Sequence, residues 1–213
     1  TKTLSAVDDG SHYYVTYTSL QITDSAGAGF ELTFTCGDQS VDSGIFDVSP
    51  ASIGFATTVG GPLVAGAAFG TQPVVKLVKA DGTSLLSTHR DVSISVVKHH
   101  SGDGELRTGE SSACDSSADC VVAVSGGSAE FADLRVWNAG ASNVVLRFAS
   151  SPGGQTVDST TLTVSPKVAV TTDPGGATEG GVFSVQPVVR QTNADGSACL
   201  LYTSPSPRDS ELS

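Results

Sequence analysis

A chain of 213 residues with 11 Lys and Arg against 22 Asp and Glu carries a net charge of −11. That sign argues against nucleic acid, whose phosphates need basic partners, and against docking on an anionic lipid surface. Hydrophobic residues make up 38% of the chain, enough for a packed core in one or two domains, and no apolar run is long enough to predict membrane insertion.

Glycine is abundant (24 residues), methionine is absent, and short Val- and Thr-rich runs sit between turn residues. That pattern predicts an all-β protein. The opening "TKTLSAVDDG" has no initiator Met and no charged start followed by an apolar stretch, so it predicts no signal peptide. It reads as the interior of something longer.

In chain order, "FELTF" (Phe30–Phe34) and "FDVSP" (Phe46–Pro50) are the first strand-like stretches considered. Ile53 and Phe55 alternate in the next. "GGPLVAGAAFG" is glycine-rich, but no GK[ST] follows it, and it is not read as a phosphate cradle. Val75 and Leu77 share one face of a strand that ends in "ADG" (Ala80–Gly82), a tight turn because Asp and Gly tolerate positive φ. Val92, Ile94 and Val96 alternate in "VSISVV", and Val122 and Val124 follow. Phe131, Leu134 and Val136 break strict alternation, which predicts a bulge near Ala132–Asp133. Val144, Leu146 and Phe148 alternate again, and Leu162 with Val164 closes the set. About seven strands with no sustained helical period suit an immunoglobulin-like β-sandwich.

The chain also repeats itself. "QPVVKLVKADG" at Gln72–Gly82 returns 114 residues later as "QPVVRQTNADG" at Gln186–Gly196. "FELTF" matches "VVLRF" at the same offset, whereas "FDVSP" and "VDS" return at 116. A two-residue insertion near "SSPGG" and a matching loss in "TTDPGG" account for the drift. Residues 1–49 are then the end of one repeat, 50–165 a complete repeat, and 166–198 the start of a third. Neither flanking piece is expected to be stable alone. The junctions "VSP" at Val48–Pro50 and Val164–Pro166 leave almost no linker, and proline there should limit bending.

"GGPLVAGAAFGTQPVVKLVKADG", "GELRTG", "VAVSGGSAEFADLRV" and "NVVLRFASS" resemble the tandem immunoglobulin-like repeats (bacterial Ig-like or filamin-like) of very large cell-surface proteins. The resemblance spans Thr1 to about Ala198. It implies tandem β-sandwich repeats, one complete and two partial, in a stalk or adhesive array outside the cell. The Tyr usual before the "L-x-A" strand is Phe30 in one copy and Val144 in the next, so a tyrosine-corner hydroxyl bond cannot form there.

Candidate chemistry is sparse. Cys114 and Cys120 in "ACDSSADC" are close enough in sequence to bridge and staple a loop. Two reduced thiols are the alternative, and the spacing does not suit structural zinc. Cys36 corresponds to Ser150, so no disulfide recurs in each repeat; Cys36 either has a partner upstream or stays free. Adjacent His99 and His100 point to opposite faces of a strand, which disfavours a metal site. Asp8, Asp9, Asp24, Asp47, Asp103 and Glu105 raise the question of calcium at repeat junctions, but no EF-hand loop is present. Surface charge that keeps the array soluble is the plainer account. His12 and His89 have no carboxylate at a telling spacing, and G-x-S-x-G is missing. Trp137, the sole tryptophan, is expected to pack at a repeat junction; the other possibility is a stacking platform for sugar.

These features predict a non-enzymatic spacer or adhesive segment of an extracellular or cell-surface protein, without metal or cofactor. Its expected partners are neighbouring repeats of the same chain and an unidentified protein or glycan. The alternatives are a carbohydrate- or protein-binding module of a secreted enzyme and a filamin-like cytoskeletal cross-linking repeat. A native Cys114–Cys120 disulfide would count against the cytosolic alternative. The end "CLLYTSPSPRDS" departs from the repeat: the earlier copy continues as an alternating strand, whereas Pro205 and Pro207 here disfavour one. Residues 199–209 resemble one reading frame of a common transposase sequencing adapter, so 199–213 is expected to be a non-native tail that packs on nothing.

Overall fold

The computed structural model describes residues 7–8, 10, 13–86, 88, 92–98, 105–109, 112–114, 120–137, 143–192 and 196. The tail at 199–213 lies outside them. Every extended element described is a β-strand.

The first stretch holds three antiparallel pairs: β1 (Val7–Asp8) with β2 (Tyr13–Tyr14), β3 (Gly27–Phe30) with β6 (Phe46–Val48), and β4 (Thr33–Cys36) with β5 (Gln39–Asp42). The central stretch supplies β7 (Ser52–Thr57), β8 (Val74–Val78), β9 (Ser93–Lys98), β10 (Leu106–Thr108) and β11 (Ser112–Ala113). It continues with β12 (Val121–Ala123), β13 (Ser128–Glu130), β14 (Leu134–Val136), β15 (Leu146–Ser151) and β16 (Thr156–Asp158). The last pair is β17 (Lys167–Thr172) with β18 (Val188–Thr192).

The central strands form three sheets, ordered β13-β8-β7, β12-β9-β15-β16 and β11-β10-β14. Alternation decides which side chains meet. Ile53, Val75, Leu77 and Ala129 of the first sheet share one core with Ile94, Val96, Leu146 and Phe148 of the second. Leu106, Leu134 and Val136 of the third sheet join it. Phe148 is fully buried, with Phe55 edge-on at 5.3 Å and Phe131 at 5.2 Å between ring centroids. Burying one such side chain contributes about 1.5–3 kcal/mol. The architecture is all-β and compatible with a β-sandwich.

Two details differ from expectation. Ala132–Asp133 is not a bulge within one strand. β13 pairs with β8, β14 pairs with β10, and the chain changes sheet between them, with Asp133 at φ 58°. A corner of this kind lets Phe131 and Leu134, three residues apart, both point inward. Leu162 and Val164 are buried, but no strand ladder contains them: Leu162 makes a single antiparallel bridge to Val144, and neighbouring Ser165 a parallel one to Val64. The ladder beside β15 is instead β16.

The glycine-rich 60–70 segment is a packed crossing. Leu63, Ala65 and Phe69 are buried, as is Val59 just before them; the Leu63 and Ala65 backbones bond Ser165, Gly66 N donates to the Val136 carbonyl, and Phe69 N donates to the Leu134 carbonyl. Gly61 faces Gly70 so closely that an added Cβ would lie 3.2 Å from the Gly70 Cα. Gln72 closes the crossing: its Nε2 donates to the Phe69 and Leu134 carbonyls, and its Oε1 accepts from Leu134 N at 3.0 Å.

Candidate interaction surfaces

The junction between residues 1–49 and 50–165 is closely fitted. Pro50 is buried, and Ala26 is fully buried within the central core. Ala26 also forms a parallel bridge with Thr88. Lys79 Nζ donates to Asp24 Oδ1 at 2.6 Å across the junction, and this bond raises the Lys79 pKa. Gly153, in the turn between β15 and β16, lies against Ser49: an added Cβ would sit 2.3 Å from the Ser49 Oγ. An open cleft of ≈ 460 Å³ remains between the two stretches, lined by Ile22, Val48, Val78, Asp81 and Leu85 among others. Thr83 donates its hydroxyl (2.6 Å) and its amide (2.9 Å) to Asp81 Oδ1. These bonds hold the Asp81 carboxyl below its ordinary range.

A second, apolar cleft of ≈ 680 Å³ opens in the first stretch. Val15, Tyr17, Phe34 and Val41 wall it, and Cys36 and Gln39 also line it. The Tyr17 and Phe34 rings lie 5.2 Å apart. Cys36 is an exposed free thiol.

Cys114 and Cys120 are disulfide-bonded, with Cα atoms 5.3 Å apart, and both are buried at the core edge. The bond ties the end of β11 to the start of β12. Trp137 carries the Arg107 guanidinium over its ring at 4.5 Å. Arg107 in turn donates from Nε (3.0 Å) and Nη2 (2.7 Å) to Glu105 Oε2. Those neighbours belong to the central stretch, and Trp137 does not line the cleft at the 49–50 junction.

Of the acidic residues that raised the question of calcium, the described Asp24, Asp47 and Glu105 each bond a different partner. Asp24 bonds Lys79, Glu105 bonds Arg107, and Asp47 Oδ1 accepts from Gly29 N at 3.1 Å. Among the described residues, no three His, Cys, Asp or Glu side chains stand where they could share a metal ion. Asp9, Asp103, His12, His89, His99 and His100 lie outside the described residues, as does the side chain of Asp8.

Sequence reasoning missed the Asp24–Lys79 pair, the Gly153–Ser49 contact and the Tyr17–Phe34 cleft. The cleft could have been found, since Tyr17 and Phe34 lie 114 residues before Phe131 and Phe148. The junction contacts could not, because each joins residues brought together only by folding. Comparison with protein families, curated proteins and solved structures finds no match.

Proposed function

We propose that the chain is a segment of a tandem β-sandwich array of the immunoglobulin-like kind, acting outside the cell as a spacer or adhesive stalk rather than as an enzyme. The observation that carries this reading is the recurrence of backbone pairings at the sequence offsets. In the ladder β7–β8, Ile53 faces Leu77 and the register slips between Phe55 and Thr57. In β17–β18, Val168 faces Gln191 and the slip falls between Val170 and Thr172. Both strands are displaced by 114–115 residues.

The other end of the unit recurs as well. Phe30 faces Phe46 as Val144 faces Leu162, and Phe34 faces Val41 as Phe148 faces Val157. Ser43 Oγ accepts from Leu32 N at 2.9 Å, and Ser159 Oγ accepts from Leu146 N at 3.0 Å. Gln186 Nε2 donates to the Phe183 carbonyl as Gln72 does to Phe69.

A spacer works through fixed length and restricted bending. The short 49–50 connection, the Asp24–Lys79 bond and the Gly153–Ser49 contact supply that restriction. The buried disulfide suits an oxidising compartment. Residues 50–165 expressed alone are expected to give a monomer with β circular dichroism and one cooperative melt. A helical or unfolded spectrum would overturn the architecture, and specific retention on a glycan array would favour a binding module over a spacer.

A further inference from the structure

We propose, resting on the repeat reading above, that the 49–50 junction is an energetic link: the end of the preceding repeat completes the core of the repeat that follows it. The plug is Asp24–Ala26, and the socket is the end of the central unit that carries Lys79, Leu85, Thr88 and Gly153. Ala26 carries the argument. It belongs to residues 1–49, yet it has no exposed surface and sits in one core cluster with Val75, Leu77, Leu85 and Ile94. Among the described residues it is the one member of that cluster from before residue 50. A contact that only set the angle between two repeats would lie at their surfaces. Here a side chain of one repeat is inside the other.

The route into the core is short and made of backbone. Ala26 forms a parallel bridge with Thr88. Three residues earlier Leu85 is buried, and its N donates to Leu77 O at 2.9 Å. Leu77 is itself fully buried, and its N donates to Gly127 O at 2.9 Å. Leu85, held by the central sheet, and Thr88, bridged to Ala26, thus lie on one short stretch of chain.

Two flanking contacts seat the plug. Lys79 Nζ donates to Asp24 Oδ1 at 2.6 Å, and Ser49, just before the buried Pro50, lies against Gly153. Detaching the plug uncovers apolar surface in the central core and breaks the Thr88 bridge, so the stability of the central unit contains a term from its neighbour. The plug is particular to this junction. At an offset of 114, Asp24, Ala26 and Lys79 return as Asn138, Gly140 and Asn193, with neither the charges nor the methyl group.

Urea unfolding of the full chain followed by Trp137 fluorescence tests the link, because the single tryptophan reports on the central unit. Ala26→Asp places an unpaired carboxylate in that core and should lower the Trp137 midpoint by about 1 M or more. Val41→Asp makes the same change in the same stretch at a position 65% exposed, and should leave the midpoint where it is. A wild-type midpoint for Ala26→Asp, or an equal drop for Val41→Asp, would overturn the proposal. Should Ala26→Asp fail to fold, hydrogen exchange on the wild-type chain decides. The Ala26 amide is expected to exchange at least about tenfold more slowly than the Val41 amide, and only as β9 and β15 open. Fast exchange at Ala26 beside protected β9 and β15 removes the link and leaves the repeat reading standing; if β7 to β16 do not open as one block, the repeat reading fails with it.

Discussion

Replacing Gly127 with Ala should damage the central unit far more than the same change one residue earlier. Gly126 and Gly127 form the two-residue turn between β12 and β13, with φ values of 57° and 80°. Ser125 and Ser128 close it with reciprocal backbone bonds of 2.8 and 3.1 Å. Positive φ at both central positions is what such hairpins require. An alanine in left-handed backbone costs about 1–2 kcal/mol at either site. At Gly126 nothing lies within 4 Å of the added Cβ, so the cost ends there. At Gly127 the new Cβ would fall 1.8 Å from the Leu85 carbonyl oxygen, a backbone atom that cannot rotate away.

Moving that carbonyl strains the bonds from Leu85 N to Leu77 O and from Leu77 N to Gly127 O, each 2.9 Å. Forced shifts of this kind add about 1–3 kcal/mol, which brings Gly127→Ala to about 2–5 kcal/mol. Urea unfolding of the full chain, followed by Trp137 fluorescence, measures both variants. At a slope of about 1–3 kcal/mol per molar urea, the Gly127→Ala midpoint should fall well below that of Gly126→Ala. Equal midpoints would refute the close crossing of residues 85–86 over this turn.

Phe148→Ala should cost about 3–5 kcal/mol by emptying the shared core, whereas Phe34→Ala, at the half-open counterpart, should shift the same Trp137 transition little. Replacing Cys114 and Cys120 with Ser should lower stability by about 2 kcal/mol through release of a short closed loop, read as a drop in melting temperature matched by reduction of the wild type. Asp81 has a lowered carboxyl pKa in the folded chain, so its contribution is fully present above the ordinary aspartate pKa and is lost as pH falls through the folded value. Asp81→Ala should therefore lower the urea midpoint near neutral pH, and the gap to wild type should close on acidification. A gap that widens toward acid would contradict the Thr83 bonds.

Much of the core was legible because strand periodicity is local: Ile53, Val75, Leu77, Ile94, Val96, Leu146 and Phe148 each follow from alternation within a few residues. The sheet change at Ala132–Asp133 was visible only as a broken period. Whether such a break is a bulge or a corner depends on which strands lie alongside, and here β8 and β10 belong to different sheets. Gln72 was noticed as part of a repeated motif, but its clamp on Leu134 joins residues 62 positions apart. The same holds at the junction, where Asp24 meets Lys79 across 55 positions. Nothing in local pattern encodes such pairs.

Native-state hydrogen exchange on the full chain at low micromolar concentration tests the central claim most directly. The account predicts one cooperative block of protection spanning β7 to β16, with the Ile94, Val96 and Phe148 amides exchanging only through global unfolding. The Ala169 and Val170 amides should exchange much faster, since among the described residues no second layer covers that hairpin and Val168, Val170 and Val189 are exposed. Equal protection in β17–β18 and the central block, or loss of β7–β8 independently of β9 and β15, would contradict a single complete unit flanked by two open halves.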